Sequence, residues 1–277
     1  MSMIRVAFQG VKGAFSEDAI VQFFGEKAES VPCPDFESVF RAVDQGRVAY
    51  GMVPVENSLE GSVSAVSDLL LDFDLNVVGE AYVAIVQNLI AHPGVEIREI
   101  KRVYSHPQAL GQSRAFLAKY PQWEKVPAFD TAGSVRIIRD HGLREEAAIA
   151  SRRAAQEYGM TVLREGIQNS DRNFTRFFVI QKTPALSKEG DKTSVVFAVR
   201  NMPGTLYRAL GAFDERGVNM TKLESRPRKD RQWEYVFYVD LDGHVDDKPV
   251  ADALTDLVRR ASFVKVLGTY RRAQVPG

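Results

Sequence analysis

One local pattern recurs along the first 180 residues and restricts the fold more than any other feature: a short apolar run passes straight into a polar turn that opens an amphipathic stretch. It occurs at Gly10-Val11-Lys12-Gly13, at Pro54-Val55-Glu56-Asn57-Ser58, at Tyr104-Ser105-His106-Pro107-Gln108 and at Phe129-Asp130-Thr131-Ala132-Gly133-Ser134. Apolar runs of four to eight residues alternating with 3.6-period segments are strands joined through helices, the requirement for parallel pairing. An α/β layer architecture with mainly parallel strands follows, and ligands of such sheets bind outside the carboxyl ends of the strands.

The rhythm begins with a strand at Ile4 to Gln9 and a helix at Ser16 to Phe24, for which Ser16 is the expected N-cap. It is interrupted from Asn76, where Val77, Val78, Tyr82 to Val86, Leu89 and Ile90 form one long apolar run, as expected of a segment crossing between two lobes. It then restarts with strands at Arg102 to Tyr104, near Val126 and at Ala147 to Ala150, and helices from Pro107, Thr131 and Arg152. Met160 to Arg164 and Phe174 to Ile180 are expected to return to the first lobe. The predicted organisation is a domain over 1–182, with lobe one at about 1–80 plus 160–182 and lobe two at about 81–159, and a cleft between them. Residues 183–192, TPALSKEGDK, read as a linker. Residues 193–272 then run strand, helix, strand, strand, helix, strand, the βαββαβ ferredoxin-like order. Such a sheet exposes an edge, which predicts side-by-side pairing of copies.

Charge narrows the partners: 36 basic residues balance 36 acidic ones, so no global field holds this chain on nucleic acid or an anionic membrane. A small molecule or another protein is the expected partner. Cys33 stands alone, which excludes an intrachain disulfide, and no apolar run reaches the ~20 residues a membrane span needs. A reducing cytoplasm is the expected location. Gly10 and Gly13 complete neither GxGxxG nor GxxxxGK, no GxSxG elbow occurs, and His92, His106, His141 and His244 are scattered. Neither a nucleotide cofactor nor a metal is expected. Arg226, Arg228, Lys229 and Arg231 read as a solvated hairpin.

Each of the four turns places hydroxyl or amide groups beside free N–H groups at a helix start, a receptor for carboxylate or phosphate. Ser, Asn and Asp also serve there simply as caps. Arg172-Asn173-Phe174-Thr175-Arg176-Phe177-Phe178 is the second unusual segment. Alternation sends Asn173, Thr175 and Phe177 to one face and Phe174, Arg176 and Phe178 to the other. Thr175 among aromatic side chains at a cleft is a hydrogen-bond donor where water is excluded, or else a β-branched residue filling a strand. Both readings stand at this point.

Taken together, these pieces resemble the prephenate dehydratase family over essentially the whole chain. The resemblance rests on Phe8-Gln9-Gly10 with Gly13-Ala14-Phe15-Ser16, Pro54-Val55-Glu56-Asn57-Ser58, Ser105-His106-Pro107-Gln108-Ala109, Asp130-Thr131-Ala132 and Asn173-Phe174-Thr175-Arg176-Phe177, whose last three residues match the TRF signature. The C-terminal unit resembles an ACT regulatory domain: Leu223-Glu224-Ser225-Arg226-Pro227 carries the ESRP motif, and Asn219 stands where the family contacts its ligand. Gly204-Thr205-Leu206-Tyr207 replaces the usual GALV, so Thr205 and Tyr207 are departures.

The resemblance implies a type II periplasmic-binding-protein-like catalytic domain followed by an ACT domain. It implies conversion of prephenate to phenylpyruvate without a cofactor, and feedback by L-phenylalanine in a homodimer or homotetramer. Thr175 becomes the expected catalytic residue. Asn57, Ser58, Ser105, Gln112, Thr131, Asn173, Arg176 and Phe177 are the expected substrate residues. Gly204, Thr205, Leu206, Asn219, Glu224, Ser225, Arg226 and Pro227 are the expected effector residues. Two alternatives remain: an arogenate dehydratase, and a non-catalytic receptor or amino-acid sensor.

Overall fold

The computed structural model describes residues 3–183, 189–228 and 234–275. Most of the expected linker, with Lys229, Arg231 and the strand start at Trp233, lies outside the described residues. The elements are β1 (Arg5–Gln9), α1 (Phe15–Phe24), β2 (Glu29–Cys33), α2 (Phe36–Asp44), β3 (Tyr50–Asn57), β4 (Gly61–Ser62), α3 (Ser64–Asp72), β5 (Asn76–Ala84), β6 (Asn88–Ala91), β7 (Arg102–Ser105), α4 (Pro107–Gln112), α5 (Arg114–Leu117), β8 (Glu124–Pro127), α6 (Thr131–Asp140), β9 (Glu146–Ala150), α7 (Arg152–Glu157), β10 (Thr161–Arg164) and β11 (Phe174–Gln181). After these come β12 (Lys192–Ala198), α8 (Thr205–Asp214), β13 (Met220–Pro227), β14 (Tyr235–Asp242), α9 (Lys248–Arg260) and β15 (Phe263–Tyr270).

Two sheets build the two lobes. The first has the order β2-β1-β3-β11-β5, with β4 hairpinned onto β3, and β1 pairs in parallel with both its neighbours. The second has the order β10-β6-β9-β7-β8, parallel between β7 and its neighbours and antiparallel at β6. The chain crosses from one sheet to the other at 85–87 and returns at 165–173. These segments bond to one another, with Gln87 N–H donating to Gln168 Oε1 at 3.0 Å and Ile167 N–H to the Gln87 carbonyl at 2.9 Å. This is the two-lobed α/β arrangement expected, each lobe built on its own sheet.

Three local expectations are corrected. Thr161–Arg164 does not return to the first lobe but pairs antiparallel with β6; Val162 packs with the α6 and α7 core and Leu163 with the core on the other side, so its apolar residues are satisfied there. Ser16 lies inside α1, whose N-cap is Ala14, and Glu17 holds the helix start by accepting from the Gly13 N–H. Asn57 and Ser58 lead first into the β4 hairpin, with α3 starting six residues later.

The C-terminal sheet has the order β13-β14-β12-β15, all antiparallel, the βαββαβ topology expected. Its core joins Val195, Phe197, Val239 and Leu241 of the sheet to Ala209, Phe213, Val250 and Leu257 of α8 and α9. Compactness divides the chain into 1–67 with 81–177 and 275–277, and 68–80 with 178–274. The second unit thus holds the end of α3 and the start of β5. There Lys265 Nζ donates to the carbonyls of Leu70 and Phe73 at 3.0 and 2.6 Å, capping α3. The buried Lys192 Nζ lies 3.1 Å from Glu80 and 3.8 Å from Asp240, and Arg226 pairs with Asp68 at 3.1 Å.

Candidate active site

The carboxyl ends of β1, β3, β7 and β8 and the first half of β11 enclose a cavity of about 630 Å³ between the lobes. Asn57, Gln112, Thr131, Thr175 and Phe177 line it, as do Phe15, Phe36 and Phe129, so aromatic side chains alternate with amides, hydroxyls and the carboxylates of Asp35, Glu60 and Asp130.

Thr175 and Phe177 project from one face of β11, as strand alternation requires. The 3.0 Å bond from Asn57 Nδ2 to Thr175 Oγ1 fixes the threonine as acceptor, which frees its own proton for a ligand. Asn57 is the hub of a buried network. Its Nδ2 also donates to Asn173 Oδ1 at 2.8 Å, and its Oδ1 accepts from the N–H groups of Leu59 and Glu60 at 3.0 and 3.1 Å. Asn173 Nδ2 in turn donates to Gln112 Oε1 at 3.0 Å. Every amide in the chain Asn57, Asn173, Gln112 therefore has one orientation consistent with its partners.

Four expected substrate residues do not line the cavity. Ser105 is fully buried and its hydroxyl donates to the Ile149 carbonyl at 2.6 Å, tying β7 to β9. Ser58 Oγ donates to Arg172 O at 2.9 Å and accepts from the Phe174 N–H at 3.0 Å, clamping the hairpin to β11. Asn173 serves the network just described. Arg176 points to the opposite face, 4% exposed and 3.9 Å from Glu56. With Arg176 elsewhere, anionic groups of a ligand meet amides, hydroxyls and the N-termini of α1 and α6, both of which reach the cavity.

Sequence reasoning missed Asp35 at the cavity rim, although Pro34-Asp35 before an amphipathic helix is the same turn signal. Asp35 caps α2, accepting from the Ser38 N–H at 2.7 Å, and the hydrogen bonds from Ser38 hold its carboxyl below the ordinary range. Also missed was a bridge between lobes at one edge of the cleft. Ser151 Oγ donates to Gly13 O at 2.6 Å, Tyr158 OH to Lys12 O at 2.9 Å, and Arg153 pairs with Asp18 at 2.5 Å. Gly13 sits there at φ +87°, where a Cβ would lie 2.6 Å from Ala154 Cα. His106 caps α4 by accepting from the Gln108 N–H at 3.3 Å, the local role its position beside Pro107 suggests.

In the C-terminal unit, Gly204 opens α8 at φ +79° and Leu206 packs on the core. Thr205 Oγ1 lies 2.7 Å from Arg200 O and 2.8 Å from Met202 O, so its hydroxyl is held by the loop. Asn219 donates to Asp242 at 2.7 Å. Along β13, Glu224 and Arg226 face one side, with Glu224 3.4 Å from Lys222, while Ser225 and Pro227 face the other. Asn219 and Ser225 are six residues apart on an extended segment, a separation of roughly 20 Å. One copy therefore does not gather these motif residues into a single pocket.

A two-lobed α/β domain around an aromatic cavity with an oriented amide network, on a chain that ends in a βαββαβ unit, defines the class: a small-molecule enzyme or receptor carrying an ACT-type module. Comparison with known proteins is specific. A family described as prephenate dehydratase matches residues 6–185, and one described as ACT domain matches residues 193–259. The chain is 40% identical over 271 residues to the bifunctional chorismate mutase/prephenate dehydratase of Aquifex aeolicus strain VF5, covering 98% of this chain and 74% of that protein. It is 39% identical over 280 residues to arogenate dehydratase/prephenate dehydratase 2 of Arabidopsis thaliana, covering 97% and 73%. Among solved structures, prephenate dehydratase from Arthrobacter aurescens in complex with L-Phe superposes with a TM-score of 0.90 at 36% identity, covering 97% of this chain and 90% of that one. A protein described as a novel type of quorum-quenching acylase also superposes at 0.90, with 34% identity and coverage of 97% and 98%. The chain belongs to the prephenate dehydratase family and carries a C-terminal ACT domain.

Proposed function

We propose that this chain converts prephenate to phenylpyruvate, carbon dioxide and water, and that L-phenylalanine acting on the ACT domain regulates it. Prephenate is a cyclohexadiene with a carboxylate and a pyruvyl group on one ring carbon and a hydroxyl on the opposite one. When the carboxylate leaves as carbon dioxide, its bond pair flows through the diene, the opposite carbon–oxygen bond breaks, and the ring becomes aromatic. One proton on the departing oxygen completes the water. The substrate is its own electron sink, so the protein needs only to hold it, exclude water and supply a donor to the departing oxygen.

The observation that carries the reading is Thr175: its oxygen accepts from Asn57 at 3.0 Å, and it lines a cavity walled by Phe177. Thr175 is assigned the hydrogen bond to the leaving hydroxyl. A threonine hydroxyl is a very weak acid, and the bond it receives from Asn57 polarises its own O–H toward that oxygen. Gln112 and Thr131, with the helix N-termini, hold the carboxylates and the keto group; Asn57, whose amide is committed to Thr175 and Asn173, sets their positions together with Ser58, Ser105, Asn173 and Arg176.

In the ACT domain, the segments Gly204 to Leu206 with Asn219, and Glu224 to Pro227, are assigned to the effector, with a ligand held between the paired ACT units of two copies. Support comes from their separation within one copy and from the L-Phe complex of the Arthrobacter aurescens relative. A ligand that prefers one arrangement of the pair by ~1–3 kcal/mol inhibits or activates by that preference.

The test is phenylpyruvate formation from prephenate by purified protein, read as enolate absorbance in strong base with and without L-phenylalanine, and, in a parallel arm, phenylalanine formation from arogenate read by amino-acid analysis. Turnover of prephenate supports the reading, preference for arogenate moves the chain to the amino-group substrate, and no turnover of either by folded protein overturns it.

A further inference from the structure

Phe129 is a large apolar residue that packing within the fold does not explain. Its side chain is 78% exposed although it lines the cavity, on the short connection between β8 and α6. The backbone around it is fixed on both sides: the Ala128 N–H donates to Ser105 O at 2.8 Å, and Asp130 caps α6 through the Gly133 N–H while its carbonyl accepts from Ser134 Oγ at 2.8 Å. A tethered backbone that presents an aromatic ring to solvent leaves apolar surface unburied until something covers it. Across the cavity, lobe one supplies Phe15 and Phe36, and β11 supplies the buried Phe177. Three aromatic side chains thus line the cavity from the other side, and the wall of the second lobe carries an aromatic that stacks on no other ring among the described residues.

We propose that Phe129 is a substrate-contact residue of the second lobe, covering the face of a six-membered unsaturated carbocycle and shielding the carbon–carbon bond that breaks from water. The inference rests on the function proposed above, and it names the group that recognises the ring where the polar network recognises the ring's substituents. Ring faces and edges attract aromatic side chains through their quadrupoles in addition to apolar burial.

The parent chain is assayed first, so that absence of turnover indicts the proposed reaction and not Phe129. Phe129→Ala is expected to lower kcat/KM for prephenate roughly tenfold or more, mostly through KM, the scale of burying one aromatic side chain. Its melting temperature is expected to match the parent because the side chain is exposed, and Phe129→Tyr is expected to restore most of the loss. A second readout does not depend on rate. In Phe129→Trp, fluorescence is measured with and without saturating prephenate, and the signal of Trp123 and Trp233 is subtracted with the parent chain. The new tryptophan is expected to become protected from acrylamide when substrate is bound. Unchanged kcat/KM in Phe129→Ala, a parallel fall in melting temperature, or a tryptophan quenched equally with and without prephenate would each overturn the proposal.

Discussion

Asn57→Asp tests the site at its hub while preserving side-chain volume. Asn57 Nδ2 serves Asn173 Oδ1, Phe174 O and Thr175 Oγ1 at 2.8, 3.2 and 3.0 Å, while its Oδ1 accepts from two backbone N–H groups. Aspartate keeps the two backbone bonds and replaces the donor with an acceptor. Thr175 then turns its proton onto the new carboxylate, and the donor that faces the cavity is withdrawn. Losing one preorganised donor costs about 2.7–4 kcal/mol of barrier, a roughly hundred- to thousandfold loss of kcat. Asn173 Oδ1, buried and facing an acceptor, adds about 1–3 kcal/mol of destabilisation, or roughly 2–4 °C of melting temperature per kcal/mol. The assay is phenylpyruvate formation alongside thermal unfolding, with Thr175→Val and the double variant completing a cycle. Because both changes act through one O–H, the double variant should lose no more kcat than the worse single one. Losses that multiply, or an Asn57→Asp chain within about threefold of parent kcat, refute the assignment of that hydroxyl.

Other outcomes follow from the same geometry. Gly13→Ala should lower the melting temperature by several degrees, about 1–3 kcal/mol for a left-handed residue whose new Cβ meets Ala154 at 2.6 Å; an unchanged unfolding curve would show that the lobe bridge yields freely. Ser105→Ala should cost stability, about 0.5–1.5 kcal/mol for the lost hydrogen bond to the Ile149 carbonyl, with kcat affected less than stability. A large kcat loss at unchanged melting temperature would put that hydroxyl on the substrate. Burial pushes the Cys33 thiol up, with Arg47 opposing and Asp35 adding to it. The native state therefore binds this proton more tightly than the unfolded one, supporting the fold below the free thiol range and losing that support as pH rises through the raised value. Alkylation at pH 8 should be slower in native than in denatured protein, and equal rates would contradict the shift.

The parts of this design that were legible in the sequence are those set by local periodicity. Strand alternation alone puts Thr175 and Phe177 on one face and Arg176 on the other, and β11 obeys it. The βαββαβ order is likewise a string of local patterns. What local patterns do not carry is pairing: Thr161–Arg164 has the composition of a strand for either sheet, and β6 decides which. Burial is also non-local. Ser105 and Thr131 occupy similar strand-to-helix turns, yet one hydroxyl is spent on Ile149 and the other residue lines the cavity. The lobe bridge at Gly13 joins residues 138 apart in the chain and leaves no short-range trace.

Glu80 belongs by sequence to the first family match, 6–185, and by compactness to the unit that holds the second. Its carboxylate is held by Lys192 and by the Ala273 N–H at 3.1 Å, both beyond that first match. Nearby, the Val77 carbonyl presses so closely on Gly268 that any side chain there would occupy its space. The unit of inheritance and the unit of mechanics are therefore cut along different lines. Separating the chain at residue 182 would take both Lys192 and the Ala273 N–H from Glu80, so the two fragments that a gene could shuffle do not coincide with the two compact bodies.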